Sequence, residues 1–133
     1  MSTDNTTRVD DEDIGAAVAE TAAAFAAKHI APFAMDWEER LHFPVAELKE
    51  AAGLGMAAIY CREEFGGSGL SRLDGVRIFT ELSAADPTTA AFLSIHNMVA
   101  WMVDTYGTDA QRAQWVPALA RMDLVASYCL TEP

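Results

Sequence analysis

Cysteine is scarce in this chain. The 133 residues hold two, Cys61 and Cys129, in no Cys-x-x-Cys or His-spaced cluster. That argues against a disulfide framework or a structural zinc site and for a reducing compartment. Basic residues are also few: nine Lys and Arg face twenty Asp and Glu, a formal net charge of −11. A surface of that sign repels phosphate backbones and anionic lipid headgroups, so neither nucleic acid nor a membrane surface is an expected partner. Long apolar runs are missing. None exceeds six residues, Met98–Val103 being one, against the ~20 that a membrane-spanning helix needs. The opening MSTDNTTRVDDED is polar and acidic, the opposite of a basic leader followed by an apolar stretch. Residues 1–10 read as a disordered acidic tail, and the expected location is cytoplasmic. With 51% hydrophobic and 22% charged residues, the bulk of the chain can still bury a core.

What is present is helical patterning. Asp10 or Asp11 can cap a first helix, in which Ile14, Val18, Thr21, Ala22, Phe25, His29 and Phe33 recur at spacings of three and four. Pro32 should kink or end it. Pro44 suits the first position of a second helix, stopped by Gly53 and Gly55. Met56–Cys61 is short, apolar and expected to be extended. Gly66, Gly67 and Gly69 make the next stretch a loop able to take positive φ. Ser71 caps a third helix, the Asp86-Pro87 break starts a fourth over Thr88–Tyr106, and Thr108 caps a fifth that Pro117 ends or bends. The fourth is apolar on nearly every side, as a central helix is. Leu124–Leu130 (LVASYCL) reads as a strand. The expectation is an all-α bundle of about five helices closed by one strand without a partner, whose backbone groups would be left unpaired.

Few residue constellations suggest chemistry. His29, His42 and His96 form no metal-binding spacing, and His96 reads as a hydrogen-bonded core or interface residue rather than a base. Glu38-Glu39 and Glu63-Glu64 point apart on a helix and read as solvated surface. The Gly66-Gly67-Ser68-Gly69 loop is neither a P-loop nor a dinucleotide fingerprint. Trp37, Trp101 and Trp115 read as core or interface. The N-terminus of the helix after Asp86 offers free N–H groups to an anionic or carbonyl-bearing ligand. At the other end, Tyr128–Pro133 puts a strand end, a hydroxyl and a carboxylate before a proline, and the strand-end N–H groups with the Thr131 hydroxyl are donors suited to a carbonyl-rich heterocycle.

Four segments, YCLTEP (128–133), FPVAELKEAAGLGM (43–56), EEFGGSGLSRLD (63–74) and SIHNMVAWMVDTYG (94–107), together resemble the acyl-CoA dehydrogenase family, and its short branched-chain members best, which act in valine breakdown. The resemblance implies that 11–122 are the helical N-terminal domain and 123–133 the start of a truncated middle β-domain. It implies FAD as cofactor and α,β-dehydrogenation of a short acyl-CoA such as isobutyryl-CoA. A Glu would take the α-proton, hydride would pass to the flavin, and electrons to electron-transfer flavoprotein, in a homotetramer. It implies that Tyr128, Leu130 and Thr131 meet the flavin, with Cys129, Glu132 and Pro133 shaping the motif, and that Thr88, Thr89, Phe92 and Ile95 line the acyl pocket. No Glu here matches the family's base, so the chain alone is expected to be inactive. The alternative is a non-enzymatic helical domain that kept the scaffold and binds a partner.

Overall fold

The computed structural model describes the backbone of residues 6–131 and the side chains of residues 14–131. Among the described residues six α-helices follow one another: α1 (Thr6–Phe25), α2 (Ala34–Arg40), α3 (Val45–Gly53), α4 (Arg72–Ala85), α5 (Pro87–Tyr106) and α6 (Asp109–Ala120). Helix α1 packs on α4, α4 on α5 and α5 on α6. The main core lies between α1, α3, α4 and α5, where Phe25, Ile30, Leu48, Ile78, Leu82 and Leu93 are buried. A smaller core, with Ala58, Cys61, Ala100, Val116 and Leu119, joins α5 to α6.

The helix starts follow local chemistry. Ser71 Oγ accepts from the Asp74 N–H while Asp74 Oδ2 accepts from the Ser71 N–H (3.2 and 3.1 Å). This reciprocal cap opens α4. The Ser71 hydroxyl donating to Asp74 Oδ2 at 2.6 Å, followed by the Ser71 N–H and Arg77, holds the Asp74 carboxyl below the ordinary carboxylate range. Thr108 and Gln111 repeat the device at α6.

Several expectations are corrected. Helix α1 starts at Thr6, ahead of the anticipated caps Asp10 and Asp11. It widens into a π-turn at Ala26–Ile30, and beyond Pro32 a separate α2 forms, closed by Leu41 at φ 53°. The described residues thus form six helices where about five were expected. Pro117 lies inside α6, which runs on to Ala120. Met56–Cys61 is a series of turns with Met56, Ala57, Ala58, Ile59 and Cys61 buried. Its polar groups find partners outside any strand pair. Ser68, Gly69 and Leu70 donate N–H bonds to the carbonyls of Ala58, Cys61 and Ile59 (3.0, 2.9 and 2.8 Å). Asn97, from α5, accepts from the Ile59 N–H at 2.8 Å and donates to the Met56 carbonyl at 2.7 Å. The glycine loop packs tightly for that reason. A Cβ on Gly67 would sit 2.2 Å from the Cys61 carbonyl oxygen, and only Gly66 and Gly69 of the loop take positive φ (88° and 60°).

Among the described residues there is no β-strand. The expected strand at Leu124–Leu130 is instead irregular, from Val125 through Thr131, because no second strand lies beside it to close a ladder.

Candidate functional site

The fold brings Thr88, Thr89 and Phe92 together on the first turns of α5. They face a pocket of about 120 Å³ whose other wall is α2 and the turn into α3, with Trp37, His42, Phe43 and Leu48. Phe43 meets Phe92 edge-on at 4.7 Å between ring centres. The lining is largely aromatic and aliphatic, and the volume is small beside the ~300–1,000 Å³ of drug-sized pockets. Ile95, one turn further along α5, is outside this pocket and partly exposed. The wall from α2 was missed in the sequence because Pro32 was expected to kink or end the first helix, with no separate helix after it. The signal that could have found it is the aromatic Phe33, Trp37 and Phe43 at spacings of four and six.

The start of α5 corrects a second expectation. Asp86 Oδ1 accepts from the Thr88 N–H at 3.2 Å and Oδ2 from the Thr89 N–H at 2.9 Å. The Thr89 hydroxyl also donates to Oδ2. The Ala90 N–H bonds to the Asp86 carbonyl at 3.1 Å, and Pro87 has no N–H. The donors at this helix start are therefore taken by Asp86, and none is left for an anion. What the helix offers the pocket is the side chains of Thr88, Thr89 and Phe92.

The second group of expected site residues lies elsewhere. Tyr128 borders an open apolar groove of about 440 Å³ with Val99, Met102, Val103, Tyr106 and Trp115, between α5 and α6. Cys129, Leu130 and Thr131 are exposed. Glu132 and Pro133 lie outside the described residues. Among the described residues the backbone groups of Ser127–Thr131 have no partner within the chain, whereas the Ala126 N–H bonds to His96 Nδ1 at 3.1 Å. Such a segment is a row of donors and acceptors ready for a polar ring.

His96 is the link between the two groups. It is fully buried. Its Nε2 lies 3.0 Å from the Leu119 carbonyl oxygen. A carbonyl only accepts, so Nε2 carries the proton. The Ala126 N–H only donates, so Nδ1 is bare. Both contacts select the neutral Nε2–H imidazole, and burial, partly opposed by the Leu119 carbonyl, holds the ring below the ordinary histidine range. The Phe92 ring, on the pocket wall, lies 6.5 Å from the imidazole.

His29 and Asp104 have structural partners. His29 Nδ1 pairs with Glu50 at 2.6 Å. Asp104, buried at the end of α5, accepts from Arg62 Nε at 3.1 Å and anchors the Arg62–Phe65 turn. Cys61 is buried and its thiol is pushed up to about 12, first by desolvation and then by Asp104. Among the described residues no three of His, Cys, Asp and Glu are grouped to hold a metal ion, and no helix is long and apolar enough to cross a membrane.

Residues 14–123 match the family model described as "Acyl-CoA dehydrogenase, N-terminal domain". The chain belongs to the acyl-CoA dehydrogenase family. It is 51% identical over 109 residues to a Dictyostelium discoideum protein named "Isobutyryl-CoA dehydrogenase, mitochondrial", covering 82% of this chain and 26% of that one. A solved glutaryl-CoA dehydrogenase in complex with glutaryl-CoA superposes with a TM-score of 0.84 at 25% identity, over 90% of this chain and 31% of that one. An acyl-CoA dehydrogenase complexed with FAD, from Bacillus anthracis, gives 0.80 at 28% identity, over 90% and 21%. The all-helical fold is therefore that of the family's N-terminal domain. The chain spans about a quarter of the length of the curated relative.

Proposed function

We propose that this chain supplies the helical N-terminal part of a flavin-dependent acyl-CoA dehydrogenase acting on a short branched acyl-CoA, with isobutyryl-CoA as the first candidate. The observation that carries the reading is the unpartnered backbone of Ser127–Thr131, anchored at Ala126 and ending in the Tyr128–Pro133 motif. Its donor set fits FAD: exposed amides and the Thr131 hydroxyl suit the carbonyl-rich end of an isoalloxazine. Bound there, FAD supplies the acceptor for hydride in α,β-dehydrogenation. Tyr128, Leu130 and Thr131 orient the ring, and Cys129, Glu132 and Pro133 complete and shape the motif.

Thr88, Thr89 and Phe92 form the wall that meets the acyl group, with Ile95 at its margin. A pocket of about 120 Å³ favours a short acyl end over a long one. Its aromatic walls exclude water from the reacting carbons, and the Asp86 cap keeps Thr89 rigid. The group that takes the α-proton belongs to residues beyond these 133, so the chain alone reduces no dye. Electron-transfer flavoprotein as acceptor, a homotetramer as assembly and a role in valine breakdown come with the same reading. The boundaries proposed are a helical domain over 11–122 and the opening of a β-domain from 123. For location, the two separate thiols suit a reducing compartment such as the cytoplasm, while the Dictyostelium relative is named mitochondrial.

The test is a chimera in which this chain replaces the matching N-terminal quarter of the Dictyostelium protein. A yellow product that reduces a dye with isobutyryl-CoA, faster than with butyryl-CoA, supports the proposal. A folded, colourless and inactive product rejects it.

A further inference from the structure

The segment that carries the flavin motif has one weak point, its root. Leu124 is held by a 3.3 Å bond from its N–H to the Ala118 carbonyl. The next hold is the Ala126 N–H on His96, and among the described residues none follows. Each residue of extended chain spans at most ~3.3–3.6 Å. Moving the last hold from Ala126 back to Leu124 therefore gives Tyr128 up to about 7 Å of extra reach, several times the tolerance of a binding site. The group making that hold is unusual in its supports. His96 is buried on α5, one turn after Phe92 and next to Ile95, and its far nitrogen is tied to the end of α6 through Leu119. A flat ring with a donor at one end and an acceptor at the other spans this gap without a rotatable bond between them.

We infer that His96 is a positioning residue. As the neutral Nε2–H ring it bridges the Leu119 carbonyl to the Ala126 amide and so sets where Tyr128–Thr131 present their backbone to the ring they bind, relative to the pocket wall at Thr88–Phe92. This rests on the reading that the segment meets FAD, but the bridge itself can be tested without flavin.

Two substitutions separate the ends of the bridge. Asn places its Oδ1 near the Nδ1 position and keeps the acceptor. Gln places its Nε2 near the ring Nε2 and keeps the donor. In His96→Gln the Ala126 amide of the 133-residue chain should exchange with solvent about tenfold faster or more, while the Ile59 amide, held by Asn97, keeps its rate. In His96→Asn the Ala126 amide should stay protected. Nitrogen NMR of the unmodified chain should show the Nε2–H tautomer. A protected Ala126 amide in His96→Gln, equal loss in both variants, or an Nδ1–H ring in the unmodified chain overturns the proposal. The NMR arm decides even where a variant fails to fold. In the chimera, His96→Gln should retain less FAD than His96→Asn, and equal retention would reject the link to flavin. A chimera that never holds FAD rejects the proposed function and leaves the exchange result standing.

Discussion

Asn97 offers the sharpest test of how the fold is held. Its side chain is almost wholly buried and accepts from the Ile59 N–H at 2.8 Å while donating to the Met56 and Leu93 carbonyls at 2.7 and 2.9 Å. The Leu93 carbonyl lies within α5, so its loss is minor. The other two belong to the buried turns of Met56–Cys61, where water is excluded and the donor and acceptor have no alternative partner. Asn97→Ala leaves both unsatisfied. At ~1–3 kcal/mol for each orphaned buried group, the variant should lose roughly 2–6 kcal/mol. A domain of this kind has about 5–15 kcal/mol in all. With a urea slope of ~1–3 kcal/mol per molar, a loss of about 3 kcal/mol moves the unfolding midpoint down by roughly 1–3 M. Urea titration followed by circular dichroism reads the midpoint, and amide exchange reads Ile59 directly. A loss under about 1 kcal/mol with Ile59 still protected would refute the reasoning, since the turns would then be held by something other than Asn97.

Two further outcomes follow from the packing and the buried His96. Gly67→Ala should destabilise by roughly 1–3 kcal/mol, because the new methyl meets the Cys61 backbone 2.2 Å away, whereas Gly53→Ala, with open space around it at the end of α3, should gain up to about 1 kcal/mol; equal effects in thermal unfolding would count against this. Stability should also fall on acidification. His96 has a folded pKa below its unfolded value near 6.5, so the unfolded chain binds the proton first; the contribution is whole above about 6.5 and declines as pH drops toward the folded pKa, with a slope of up to ~1.4 kcal/mol per pH unit. His96→Asn should flatten that part of the curve, and a profile that is the same in both proteins would contradict it.

The starts of α4, α5 and α6 were legible in the sequence because their chemistry is local. Ser71 and Asp74, Thr108 and Gln111, and Asp86 with Thr88 and Thr89 are within three residues of each other, so a cap is written wherever the pair is. The family motifs were legible for the same reason, and so was the membership they imply. His96 was readable as a hydrogen-bonded core residue from its apolar setting, but its two partners, 23 and 30 residues away, were not.

The misread elements are those whose outcome hangs on distant partners. Met56–Cys61 has the composition of a strand. It folds as turns because Asn97, some forty residues later, and the returning glycine loop reach its polar groups first. Leu124–Leu130 has the same composition and remains irregular for want of a neighbour. The Asp86 helix start looked open to a ligand until the carboxylate was found folded over it. Sequence alone thus determined most of the helical segments, where several of them begin and which family they belong to, since those depend on contacts a few residues apart. Only the tertiary structure decided that α2 walls the pocket and that His96 ties the terminal segment to α5 and α6, because such contacts join residues that are close only once the chain has folded.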